Sequence, residues 1–106
     1  HATNALLAKA ARVLDEVNAA PVTLESAARA SIAVAEAKVL STEISLLASE
    51  KLLELSGSRA TLAEFNLDRH WRNARVHTLH DPVRWKYHAI GNYYLNEQNP
   101  PLRGTI

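Results

Sequence analysis

Residues 24–56 read LESAARASIAVAEAKVLSTEISLLASEKLLELS, a stretch without proline or glycine. Ile32, Val39, Leu46 and Leu53 recur at seven-residue intervals, flanked by Ala33, Leu40 and Leu47, while Glu36, Glu43 and Glu50 repeat on another side. The pattern predicts one long helix with an apolar seam. Thr23 is placed to cap it, Glu25 faces the positive end of its dipole, and Gly57 is placed to end it in the left-handed conformation. At 1.5 Å per residue such a helix is about 45 Å long. Its alanines and serines let neighbouring helices approach closely, so it forms the spine of the fold.

The rest of the chain divides around that spine. Glycine is scarce, and prolines at 21, 82, 100 and 101 separate long stretches suited to helices. Upstream, Leu6, Ala10, Val13 and Val17 form an apolar stripe that predicts a helix over about 2–19. Downstream, Ser56-Gly57-Ser58-Arg59 is a connection, and Thr61 with Glu64 fits a capping box. A third helix is expected over about 66–79. Asp81-Pro82 then reads as N-cap and first helical residue of a fourth helix ending near 96, because proline's missing N–H is harmless in a first turn. Asn99-Pro100-Pro101 ends regular structure. The expected fold is all-α, an antiparallel up-down four-helix bundle in which short connections place successive helices side by side.

The 106 residues amount to one domain, and an opening at His1, already in a helical pattern, predicts an excised piece of a longer protein. Twelve basic against eleven acidic residues leave a net charge of +1, which favours neither nucleic-acid nor membrane partners. The distribution is less even: residues 1–56 carry five basic and seven acidic side chains, residues 57–106 seven basic and four acidic. Anion binding belongs to the second half. The absence of cysteine excludes disulfides and thiolate metal sites. No leader and no apolar run of membrane-spanning length is visible, so a soluble, cytoplasmic protein is expected.

Chemistry-bearing residues concentrate in Asp68-Arg69-His70-Trp71-Arg72-Asn73-Ala74-Arg75-Val76-His77-Thr78-Leu79-His80-Asp81-Pro82. On a helix His70, His77 and His80 share a face. His77 and His80 have a spacing open to metal ligation, but no Glu-x-x-His pair occurs anywhere in the chain, so no metal is expected and hydrogen-bonded packing is the simpler role. Arg69, Arg72 and Arg75 fit either a nucleic-acid surface or salt bridges to the glutamates of the spine, and the near-neutral charge favours salt bridges. Ser58 and Arg59 after Gly57 offer a hydroxyl and a guanidinium to an anion, beside the plainer role of helix termination. Trp85, Tyr87, Tyr93 and Tyr94 suit a core or an oligomer interface.

From Ser56-Gly57-Ser58-Arg59-Ala60-Thr61 through the histidine helix to Asn99-Pro100-Pro101, the sequence resembles the C-terminal domain of acyl-CoA dehydrogenase-superfamily flavin monooxygenases, the branch of dibenzothiophene monooxygenase and sulfur-acquisition oxidoreductases. Residues 1–55 match only as helices of suitable length. The resemblance implies a three-domain flavoenzyme of which this chain is the last part, inactive by itself. It implies reduced FMN, rather than FAD, supplied by a separate flavin reductase. It further implies oxygen transfer to a small sulfur-containing or aromatic substrate and a homo-oligomer, a tetramer, in which a neighbouring subunit reaches the flavin. By position, Ser58 and Arg59 would contact the flavin phosphate or ribityl chain. His80 would lie at the reactive edge of the flavin, with His77 one turn earlier, as hydrogen-bond donor or proton relay; His70 would be structural. Dehydrogenases of the superfamily carry their base in Glu-Gly-Thr, where this chain has Asp81-Pro82-Val83, so the resemblance favours oxygenation over acyl-CoA dehydrogenation. Acyl-CoA dehydrogenation and a purely structural tetramerisation bundle are the alternatives.

Overall fold

The computed structural model describes residues 1–80 and 82–101, with His80 described by its backbone alone. Four α-helices follow one another: α1 (Ala2–Asn18), α2 (Leu24–Ser56), α3 (Asp68–His80) and α4 (Val83–Asn96), with a 3₁₀ turn at Ser58–Thr61. The fold is all-α, as the sequence predicts. Thr23 caps α2 as expected: its hydroxyl accepts from the Ser26 N–H at 3.1 Å, and Ser26 Oγ accepts from the Thr23 N–H at 2.8 Å. Two orphan amides at the helix start are thereby satisfied.

All the principal packing runs through α2. Ala10, Val13 and Val17 of α1 close on Ala30, Ala33 and Ala37 of α2, with Leu6 at the margin, so the predicted stripe meets a run of alanines. The pairing is antiparallel, since Glu16 bonds Arg29 at 2.5 Å while Lys9 approaches Glu36 at 3.7 Å. Ile32 is the one large side chain fully buried among the described residues. Leu46 and Leu53, further along the same seam, are only half-buried. α3 and α4 also pack chiefly on α2: α3 lies along the part that includes Lys38, Ser45 and Ser49, while α4 reaches Glu36, where α1 also meets the spine.

Several local expectations shift. Gly57 takes φ 81° and ψ −179°, which is not the left-handed cap but a region open essentially to glycine alone. The Thr61–Glu64 capping box does not form, because Thr61 Oγ1 donates back to the Ser58 carbonyl at 2.7 Å and closes the 3₁₀ turn. Asn66 has φ 49°, so α3 starts at Asp68 rather than 66, and it runs one residue past 79. Pro82 is the N-cap of α4, with φ −60° and ψ 118°, not its first helical residue. The expected cap Asp81 lies outside the described residues.

The molecule is elongated, 55 × 22 × 22 Å, with a radius of gyration of 17.1 Å. A compact chain of this length has about 13 Å. Its accessible surface is 7605 Å², whereas a folded monomer of this mass exposes about 5,900 Å². Large apolar side chains account for part of the excess: Leu55 is 87 % exposed, Leu95 83 % and Leu79 70 %. Among the described residues no helix is long and apolar enough to cross a membrane.

Candidate functional site

α3 lies antiparallel to the C-terminal half of α2. Its register follows from two contacts: His77 Nε2 bonds Nζ of Lys38, and His70 faces Ser45, Ser49 and Leu52 across a groove of about 520 Å³ that Asn73 and Ala74 also line. Small residues on both helices produce this opening. Ser45 and Ser49 turn their hydroxyls back onto the spine, donating to the carbonyls of Ser41 and Ser45 at 2.7 and 2.8 Å, and so add little bulk.

His70 and His77 thus share the α2-facing side of α3, as their spacing predicts, but seven residues of helix place them about 10 Å apart along the axis. A single ion cannot bridge them. Among the described residues no three His, Asp or Glu side chains converge as metal ligands do. The His80 side chain and Asp81 lie outside the described residues; the backbone puts His80 one turn beyond His77, in the last residue of α3.

Among the described residues no ion pair joins the arginines of α3 to the glutamates of the spine. Arg72 Nε donates to Asp68 Oδ2 at 2.6 Å within the same helix, and that bond holds the Asp68 carboxyl below the usual carboxylate range. Two of the spine carboxylates bond elsewhere: Glu54 to Lys51, and Glu36 to Lys9 and to the Tyr94 hydroxyl. Arginine side chains on an exposed helix find a carboxylate one turn away more cheaply than one on another helix. Trp85, Tyr87 and Tyr94 are exposed rather than core residues in this chain.

Ser58 and Arg59 sit at the opposite end of the spine from α1, both exposed, in the 3₁₀ turn that Gly57 permits. His77 meets α2 near its middle, at Lys38. From Lys38 to Ser56 the helix rises about 27 Å, so Ser58 and Arg59 are separated from His77 by more than the length of a flavin mononucleotide. The predicted site residues therefore form two stations on one chain, not one cluster.

Two pairings escaped the sequence reading. Lys38 is the partner of His77, and Glu36 joins α1 to α4 by accepting the Tyr94 hydroxyl at 2.6 Å. The available signal for Lys38 was its position: a basic side chain directly before Val39 of the apolar repeat.

The model of the acyl-CoA dehydrogenase C-terminal domain family matches residues 1–85, and the chain belongs to that family. It is 41 % identical over 97 residues to SfnC of Pseudomonas putida, a probable FMNH2-dependent monooxygenase, covering 90 % of this chain and 25 % of that protein. The dibenzothiophene monooxygenase TdsC of Paenibacillus sp. A11-2 superposes with a TM-score of 0.89 at 34 % identity, over 99 % of this chain and 28 % of that one. TdsC has also been solved with FMN and indole, and that form superposes with a TM-score of 0.70 at 32 % identity, over 92 % of this chain and 28 % of the other. The methanesulfinate monooxygenase MsuC of Pseudomonas fluorescens gives a TM-score of 0.85 at 38 % identity, over 96 % of this chain and 27 % of its own. The chain spans about a quarter of the length of the relatives it matches.

Proposed function

We propose that this chain is the C-terminal bundle of a two-component, FMNH2-dependent monooxygenase that oxygenates a small sulfur-containing or aromatic compound, with reduced FMN supplied by a separate flavin reductase. The observation that carries the reading is the match along nearly the whole chain to relatives named as FMNH2-dependent, dibenzothiophene and methanesulfinate monooxygenases. When bound, reduced flavin supplies the redox chemistry with oxygen. The chain's own residues bind and orient.

The donor set fits that cofactor. Arg59 is exposed beside Ser58 at the tip of the spine, offering a guanidinium fork and a hydroxyl to a phosphate. His77 and, one turn on, His80 are the groups for the polar edge of the ring and the reacting atoms. Because the two stations are further apart than one FMN can span, each flavin takes Ser58 and Arg59 from one copy and the histidines from another. That division supports a homo-oligomer, a tetramer in this reading, and the exposed apolar surface of α2, α3 and α4 gives it area to bury. A cytoplasmic location goes with a reductase that must deliver reduced flavin at short range.

The test uses the full-length protein with FMN, a flavin reductase and three candidate substrates: dibenzothiophene, methanesulfinate and indole. Oxygenated product that requires both FMN and reductase is expected, and Arg59→Ala is expected to raise the FMN dissociation constant about 10-fold or more, the loss of one charge-assisted hydrogen bond. Dehydrogenation of an acyl-CoA without oxygenation would overturn the reading.

A further inference from the structure

Lys38 differs from the other basic residues of α2. Arg29 and Lys51 are exposed and pair with Glu16 and Glu54 at the surface. Lys38 is half-buried: its stem lines an apolar groove with Leu7, Leu14, Val34 and Ala37, between α1 and α2, and its Nζ bonds His77 Nε2 on α3. A long flexible side chain is thus ordered along one helix pair to meet a ring on a third helix, at an entropic cost that packing of the stem helps offset.

The chemistry of that bond fixes the ring. An ammonium has three donors and no acceptor, so Nε2 of His77 accepts through its lone pair. A neutral imidazole with a bare Nε2 carries its hydrogen on Nδ1. We infer that Lys38 is a positioning residue that holds His77 as the neutral Nδ1–H tautomer, so that His77 offers a bound ligand a fixed hydrogen-bond donor and carries no proton in the reaction. Of the two roles open to His77, donor and relay, the Lys38 bond selects the donor. The ligand atom it suits is an acceptor, a carbonyl or an oxygen that gains negative charge. The consequence for turnover rests on the flavin reading above; the tautomer does not.

Two measurements on the full-length protein separate these levels. Neutron diffraction from deuterium-exchanged crystals is expected to show deuterium on His77 Nδ1, none on Nε2, and three on Lys38 Nζ. In Lys38→Met the deuterium is expected to move wholly or partly to Nε2, the tautomer that an unconstrained ring favours. Deuterium on Nε2 in the parent, or on Nδ1 alone in Lys38→Met, overturns the inference. In turnover with supplied reduced FMN, His77→Asn keeps an N–H near the Nδ1 position and is expected within about 5-fold of the parent kcat, with His77→Ala lower by roughly 30-fold. Equal loss in both variants overturns the donor role. A parent with the Nδ1–H tautomer but without flavin-dependent turnover overturns the flavin reading and leaves the tautomer standing.

Discussion

Glu36 accepts the Tyr94 hydroxyl at 2.6 Å through Oε1 while Lys9 stands 3.7 Å from Oε2, so one carboxylate ties α1, α2 and α4. The hydrogen bond to Glu36, then partial burial, then the carboxylate's charge push the Tyr94 phenol up to about 12. A folded value above the unfolded value of about 10 means that the contact contributes fully below pH 10 and is lost as pH rises through about 12. A spectrophotometric titration should accordingly show one late tyrosine that disappears in Tyr94→Phe. The variant should lose about 0.5–1 kcal/mol at neutral pH, a small figure because the pair faces solvent. Asp68 has the opposite sign: Arg72 depresses its carboxyl, so its support of the first turn of α3 is present above the ordinary carboxylate range and lost as pH falls through its lowered value. Residue type and spacing were enough to nominate Ser58, Arg59 and the histidine row as candidates. They did not show Lys38 with His77 or Glu36 with Tyr94, because those partners lie 39 and 58 residues apart and a single sequence carries no register between helices.

The α1–α2 seam is built of alanines facing valines, and its closeness is its stability. Ala33→Leu forces three more carbons into the α1–α2 contact and should cost about 1–3 kcal/mol; Ile32→Ala opens the deepest part of the core and should cost about 2–5 kcal/mol. Both are read as a lowered melting temperature of the full-length protein. Gly57→Ala meets no steric neighbour, yet its φ of 81° with extended ψ strains any side chain, and about 1–3 kcal/mol is expected. Because Ser58 and Arg59 follow directly, FMN affinity should fall with it. At this scale the sequence was most informative for α2: periodicity, absence of breakers and a Thr cap placed its ends, and the Leu6–Val17 stripe placed α1. Boundaries failed where a local hydrogen bond or backbone angle competed with a pattern. Thr61 closed a 3₁₀ turn instead of capping a helix, and the left-handed Asn66 delayed α3.

A surface about 1,700 Å² larger than a compact monomer of this mass would expose marks a chain shaped to be covered. The four helices were legible because each has its own periodicity; that α1, α3 and α4 all rest on α2 was not, since it follows from small-residue faces rather than from connection length. Made as an isolated polypeptide, residues 1–106 should self-associate in light scattering and bind FMN without stoichiometric saturation, because they supply separated parts of two sites. Tight one-to-one binding by a monomeric chain would count against the shared-site arrangement. The most direct measurement is a crystal structure of the full-length protein with FMN bound. The flavin phosphate is expected within hydrogen-bond reach of Ser58 and Arg59 of one copy, and the ring edge beside His77 and His80 of another. A flavin that touches neither station, or that takes both from a single chain, would contradict the shared-site arrangement.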